Sequence, residues 1–508
     1  MRSTRSDEKV IRCRPKTTLV LALVIGAMAR GQNAPPSPSQ PWSPRGLNDY
    51  QTDLASRKFA EDGVPVKIDP EKVYGLPDLI DIAERSNPNT RIAWEHARAA
   101  AAAVGLAQSA YYPYLAASAG AGYEHAFIPF PSLSLGPGTD VSITGGNTLS
   151  TGVVAERAAL SVKWLLFDFG ERKAVTTATK ERLMMANVGF NAVHQQVVFD
   201  VTRRFYELNT AREKVGVTER ALAAAKTVGE AAEARFAHGL GTKPEALQAD
   251  QQAAEAAFEL EAARGALSDA QVALVESLGI LPTTELRIAG IGEEPKDLAE
   301  SLDSLIDRAL SQRPDLFLKL AELRARQAEV RQAQSAYYPK IALDAHGGWA
   351  GLDVSIKNSP YFGGDEPVYG VGLALEWPIF DGYLRENKKL AAEAELRAAE
   401  NELAEARDSA VRQVWKSYTD LQTALRKRES AAKLVAAAES AYAASLDAYK
   451  HGLGTYVDAV NAERDVAAAR SVGVDTRAAI FTGEAALAFS VGELDKPTAR
   501  NPSGKTNP

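Results

Sequence analysis

The side chains able to carry out chemistry are few in this chain, and their spacing argues against a catalyst. Six histidines (His96, His125, His194, His238, His346 and His451) lie scattered without the spacing of metal ligands. There is no H-E-x-x-H, no P-loop, no G-x-S-x-G and no G-x-G-x-x-G after a strand. The only cysteine, Cys13, precedes the apolar run of an apparent secretion signal. Cleavage would leave the mature chain with no thiol for nucleophilic attack, disulfide formation or metal ligation. No enzyme and no cofactor are expected. Two histidines do share a context: His238 and His451 each open the pentapeptide HGLGT, at 238–242 and 451–455. Glycine just past a helix supplies a left-handed C-cap. Thr242, followed by Pro244 and Glu245, suits the cap and first turn of a returning helix. Both pentapeptides are therefore read as tight helix-to-helix turns.

The repeated turn belongs to a larger duplication. AQSAYYP occurs at 107–113 and again at 333–339, an offset of 226 residues, and Leu79-Ile80-Asp81 and Pro88 return as Leu305-Ile306-Asp307 and Pro314 at the same offset. Beyond that phrase the offset is 213: Trp164, Phe167 and Asp168 return as Trp377, Phe380 and Asp381, and SLGIL at 277–281 as SVGEL at 490–494. An internal repeat of this length means that two similar units share one architecture.

Each unit must place its turn at the end of something long. The first opens with a helix from about Pro77 and a second from Asn89 to Ala110, stopped at Tyr111-Tyr112-Pro113. The hydrophobic period then drops to two over 114–127 and again over 153–167, with a Pro-, Gly-, Ser- and Thr-rich loop at 128–150. From Asp168, read as an N-cap, no proline interrupts about 67 residues of helical pattern, about 100 Å at 1.5 Å per residue. Val201, Leu208, Val215 and Leu222 stand seven apart, the seam of a coiled coil or helical tube. The second unit repeats the plan with helices near 302–312 and 315–336, strands at 341–352 and 368–380, and a hairpin at 382–491.

Charge and targeting narrow the setting. Residues 1–29 carry six basic and two acidic side chains ahead of Ala27-Met28-Ala29, the form of a secretory signal. The formal net charge of −7 therefore becomes −11 once that +4 segment is set aside. So acidic a chain is a poor match for nucleic acid, which is held through Lys and Arg. After the signal, no apolar run of 18 residues exists to form a membrane helix. Any crossing of a bilayer must use strands, and open sheet edges are not tolerated in lipid. Four strands cannot close a barrel, so copies must pool them: eight in a dimer, twelve in a trimer. The rival reading is a soluble periplasmic coiled-coil scaffold.

Over about residues 75–494 this plan resembles the TolC-like outer-membrane efflux protein family. The likeness lies in the duplicated helix–strand–strand–helix unit, the Tyr-Pro before a strand, the Trp164…Phe167-Asp168 and Trp377…Phe380-Asp381 junctions, and the glycine turns followed by an acidic position. The resemblance implies a mainly α chain with a membrane β-barrel portion: a homotrimer with four strands per chain in a 12-stranded barrel in outer-membrane lipid, and long coiled helices in an α-helical barrel in the periplasm. It implies an outer-membrane channel of a Gram-negative bacterium that serves a periplasmic adaptor (membrane fusion protein) and an inner-membrane transporter, for small molecules or for type I protein secretion. The tips Gly239, Leu240, Gly241, Thr242 and Gly452, Leu453, Gly454, Thr455 would meet the adaptor. Asp458, Tyr449 and Asn461 would lie at the periplasmic aperture, with Asn461 replacing the second acid of a double ring. Gly454 stands where a pairing arginine would be, so no gate held by that arginine is expected. The expected boundaries are a signal at 1–29, an extended leader at 30–74, the first unit at 75–281 with its hairpin at 170–280, a linker at 282–300, the second unit at 301–494 and a disordered tail at 495–508.

Overall fold

The computed structural model describes residues 68–129, 133–134, 142–143, 148–281, 283–284, 286–292, 294, 298, 300–356 and 362–493. The expected signal, most of the leader and the tail lie outside the described residues. A two-residue strand β1 (Val73–Tyr74) leads into helices α1 (Leu76–Ser86) and α2 (Pro88–Ser109). Then come β2 (Tyr114–Pro129), the short β3 (Leu133–Ser134) and β4 (Ser142–Ile143), and β5 (Thr148–Phe167). Helices α3 (Glu171–Ala237) and α4 (Lys243–Leu278) form the first hairpin. After β6 (Arg287–Ile288), the second unit runs α5 (Leu302–Gln312), α6 (Pro314–Ser335), β7 (Lys340–Ile356), β8 (Phe362–Glu376), α7 (Leu384–Lys450) and α8 (Tyr456–Val491).

The 67-residue lengths of α3 and α7 follow from unbroken helix-forming sequence, since only Pro or a cap ends a helix sharply. The two units bury equivalent side chains. Leu79, Ala83, Val201, Leu208, Leu274 and Leu278 sit in one core. Leu305, Ala309, Val414, Leu421, Leu487 and Val491 occupy the same places in the other. A third cluster lies at the far end of the hairpins and mixes the units: Val228, Ala232 and Ala249 with Tyr449, Tyr456 and Ala459.

The four long strands form one antiparallel sheet in the order β2-β5-β7-β8. Limits of all four strands differ from those read in the sequence, β2 by running to Pro129 rather than 127. β5 begins at Thr148, not 153, because Thr148–Ser150 pair with Phe127–Pro129. β7 runs to Ile356, past the expected 352. β8 covers 362–376, not 368–380; it starts earlier because Phe362–Pro367 pair with β7, and Pro378 cannot donate a ladder hydrogen bond beyond its end. Turn-type residues such as Gly363-Gly364-Asp365 hide a strand that its partner imposes. The leader and linker also contribute order that their sequences did not announce: β1 and β6 pair in parallel, Tyr74 opposite Ile288.

Each strand hands over to its long helix through a built joint. Trp164 donates Nε1–H to the Tyr111 carbonyl at 3.0 Å, and Trp377 does so to Tyr337 at 3.1 Å. Asp168 is not itself the N-cap: that position is Gly170, at φ +97°. Asp168 nevertheless accepts from the Gly170 and Arg172 amides and from Arg172 Nε. Asp381 and Arg385 repeat the pair at 2.7 Å.

Candidate functional site: two helix tips and an apolar sheet face

The sheet presents two chemically distinct faces, because side chains alternate along a strand and the register aligns them across strands. One face carries Leu115, Leu160, Trp349, Tyr369, Val371, Leu373 and Leu375, all exposed in the single chain. The other carries Ser118, Glu124, Arg157, Lys163, Asp344, His346 and Glu366 among glycines and alanines, with Lys163 paired opposite Asp344. An exposed apolar face backed by a polar one is the pattern of a strand wall between lipid and water. Strands β2 and β8 are the sheet's edges within one chain, so closure needs further strands. Among the described residues, no helix is long and apolar enough to cross a membrane.

At the other end, both turns have one backbone. In the first, Leu240 N–H donates to Arg235 O at 2.8 Å and Gly239 N–H to Phe236 O at 3.0 Å; in the second, Leu453 donates to Ala448 O at 2.8 Å and Gly452 to Tyr449 O at 3.0 Å. This is the Schellman closure, which places the residue after the cap in the left-handed region; Gly239 and Gly452 have φ of +72° and +76°. Gly241 and Gly454 sit close to the preceding helix turn, where a Cβ would stand 3.2 to 3.3 Å from it. The hydrophobic residue after such a cap commonly packs back on its helix. Leu240 and Leu453 do not: they are 70% and 86% exposed.

Around these turns the expected site residues take unequal places. Thr455 caps α8: its hydroxyl accepts from the Asp458 amide at 3.2 Å, and Asp458 Oδ2 accepts from the Thr455 amide at 3.1 Å and hydroxyl at 2.6 Å. These bonds hold the Asp458 carboxyl below its ordinary pKa. Thr242 does occupy the N-cap of α4, as expected, but its side chain makes no such bond. Asp458 and Asn461 are exposed. Tyr449 is only 1% exposed; it lies between the hairpins rather than on an open surface. Burial raises its pKa, helped by nearby Glu245 and opposed by Arg235.

One residue that the sequence reading passed over is central here. Arg235, on α3, stacks its guanidinium 4.9 Å from the Tyr449 ring centre. It donates to Tyr449 O at 2.8 Å and Leu240 O at 3.1 Å. The cation beside Tyr449 therefore comes from the other hairpin. Its sequence signal is faint: no acidic residue stands three or four positions from Arg235 to pair with it along α3. Two turns past the tip, Glu463 is 3% exposed, and burial pushes its pKa up to about 7. Glu259 and Glu255 raise it further, while Arg464 opposes them. Among the described residues, no group of three or more His, Cys, Asp or Glu could hold a metal ion.

Comparison with known proteins agrees with this geometry. The family model described as "Outer membrane efflux protein" matches residues 79–280 and 305–493. Protein CyaE of Bordetella pertussis is 29% identical over 424 residues, covering 83% of this chain and 85% of that protein. The pyoverdine export outer membrane protein OpmQ of Pseudomonas aeruginosa is 24% identical over 437 residues, covering 83% and 86%. The solved outer-membrane channel OprN superposes with a TM-score of 0.70 at 19% identity, covering 82% of this chain and 90% of that one. The fold is thus the tandem-duplicated, mainly α architecture of the outer-membrane channels it superposes on, with a four-stranded sheet and long helical hairpins in each chain. The residues, the fold and the matched segments together establish that this chain belongs to the outer membrane efflux protein family and is an outer-membrane protein of the Gram-negative type.

Proposed function

We propose that this chain forms the outer-membrane duct of a three-part export system, with its helix tips docked on a periplasmic adaptor that is joined to an inner-membrane transporter. The observation that carries the docking half is the pair of exposed leucines, Leu240 and Leu453, on rigid glycine turns at the ends of 67-residue helices. An apolar side chain held out on a closed turn has no use within the chain and suits a hydrophobic groove on a partner hairpin. The apolar sheet face carries the membrane half, and a soluble scaffold would have no use for it. Asp458 and Asn461, exposed beside the second turn, are the side chains offered to the aperture. The channel only accepts what the transporter delivers, so small molecules and secreted proteins are both served by this geometry.

Replacing Gly239 and Gly452 with valine tests the docking. Both positions need φ near +70°, where a β-branched residue is strongly disfavoured. Export should be lost while trimer formation and membrane insertion persist. Unchanged export in the double variant would remove the docking reading. An apolar sheet face needs detergent for extraction, and release of the protein by high salt alone would remove the duct.

A further inference from the structure

We propose that α7 seats on the flank of α4 in a second copy of this chain through the stripe Asp408, Arg412, Trp415 and Thr419, and that Arg412 pairs there with Glu276 of the partner subunit. The proposal rests on the duct reading above. Within one chain the hairpin helices lie side by side in the order α4-α3-α8-α7. Helices α4 and α7 are therefore the two ends of the row. A head-to-tail contact between identical copies closes a ring, so an α7 end must meet an α4 end.

The chain already contains a template for that joint. At the offset of 213, α7 corresponds to α3 and α4 to α8, so the contact of α3 with α8 is the one to be repeated between copies. Helix α3 makes it with Gln195, Phe199, Thr202 and Tyr206, which the helical period places on one face. Gln195 donates to the Gly492 carbonyl at 3.2 Å. Phe199 stacks on Phe489 with ring centres 4.6 Å apart, and Tyr206 on Phe481 at 5.1 Å. Gln195 and Thr202 are buried. Their counterparts on α7 are Asp408, Arg412, Trp415 and Thr419, all exposed in the single chain, Trp415 at 59%. The second stripe is made for a surface that one chain does not supply.

The counterpart of Phe489 is Glu276, which lines a cleft of about 590 Å³ with Ile92, Val193, Asp200 and Arg203. Asp200 and Arg203 pair with each other at 3.6 Å. Among the described residues, neither Glu276 nor Arg412 has a side-chain partner. An aromatic stack within the chain thus becomes two opposite charges between chains, and Tyr206 with Phe481 becomes Thr419 with Ser268. Polar groups suit a surface that meets water before the copies assemble. One counterpart works against the joint: Glu213 and Arg477, 2.9 Å apart, correspond to two cations, Arg426 and Arg264. Glu219 and Glu261 already pair with Arg264 and temper that repulsion.

Purified full-length protein in detergent provides the test. Cys13 is the only thiol, so a Cys13→Ser chain carrying Arg412→Cys and Glu276→Cys can be joined by a short bismaleimide. Covalent species larger than one chain should form only when both of these substitutions are present. Glu276→Arg, which sets a like charge against Arg412, should lower the thermal dissociation midpoint of the oligomer, and adding Arg412→Glu should recover most of the loss. An intact oligomer that does not cross-link overturns the joint alone. Cross-linking without recovery by the charge swap overturns the ion pair. Protein that stays single in detergent overturns the duct reading and the joint with it.

Discussion

The two tips of this chain have the same backbone and opposite side-chain habits. The equivalent closing hydrogen bonds, Leu240 to Arg235 and Leu453 to Ala448, are both 2.8 Å. Yet Phe236 is 43% exposed while its counterpart Tyr449 is 1% exposed. Lys243 corresponds to the buried Tyr456, and the exposed Asp250 to the buried Glu463. Duplication thus preserved the turn, and divergence made the seam directional. The second tip is sunk into its neighbour within the chain, and the first supplies the arginine that receives it. A tube built from such pairs has two kinds of seam, one closed within each chain and one left for contact between chains.

The largest expected difference follows from burial. Tyr449→Ala removes a ring enclosed by Val228, Ala232, Ala249 and Tyr456 and should cost about 3–5 kcal/mol of local stability, as for other large-to-small core changes. Phe236→Ala, at an equivalent but open position, should cost less than about 1 kcal/mol within the chain. Hydrogen exchange of the tip amides, which reads local opening, checks both. Equal effects would mean that the tips are interchangeable after all.

Protonation should distinguish the tips next. Glu463 faces Glu255 and Glu259 on α4, Tyr442 on α7, and Arg464 and Tyr456 on its own helix. With a pKa of about 7 when buried against an ordinary 4.5, it favours the closed tip in its protonated form. That stabilisation is complete below the ordinary value and disappears as pH rises through about 7, with an upper scale of about 3 kcal/mol per chain. Tip amides should therefore exchange faster at pH 8 than at pH 5, after correction for intrinsic rates. Glu463→Gln should flatten that dependence, whereas Asp250→Asn, on the exposed counterpart, should leave it intact. A slope that survives Glu463→Gln would place the titrating group elsewhere.

Much of this architecture was readable because it is local and repeated. AQSAYYP and HGLGT marked both units, and the seven-residue series through Val201 and Leu208 ran straight into the core. The two-residue alternation found the strands but not their starts, since residues such as Thr148 and Gly363 are ordered by a partner strand rather than by their own preferences. The β1 and β6 pairing joins residues more than 200 apart with no pattern in either. Arg235 was missed for a related reason. The resemblance directs attention to Gly454 on the second tip itself, whereas the contact with Tyr449 crosses between hairpins, joining residues 214 positions apart. Periodicity reports which face a residue occupies; it does not report which partner that face meets.

The smallest difference concerns the caps, and it shows why the tips diverge. Thr455 and Asp458 form a reciprocal capping box, so Thr455→Ala should cost about 1 kcal/mol, the usual value of an N-cap, seen as faster exchange at 456–459. The first tip has the same signature, Thr242 with Glu245 three residues later, but Thr242 makes no cap bond. Glu245 lies instead near the Tyr449 hydroxyl, raising its pKa. Thr242→Ala should therefore leave exchange at 243–246 almost unchanged. In a Tyr449→Ala background Glu245 is free to turn back on the helix, and Thr242→Ala should then acquire a measurable cost. If Thr242 matters equally in both backgrounds, Glu245 is not drawn to the seam, and the first tip has kept its cap while losing nothing to its neighbour.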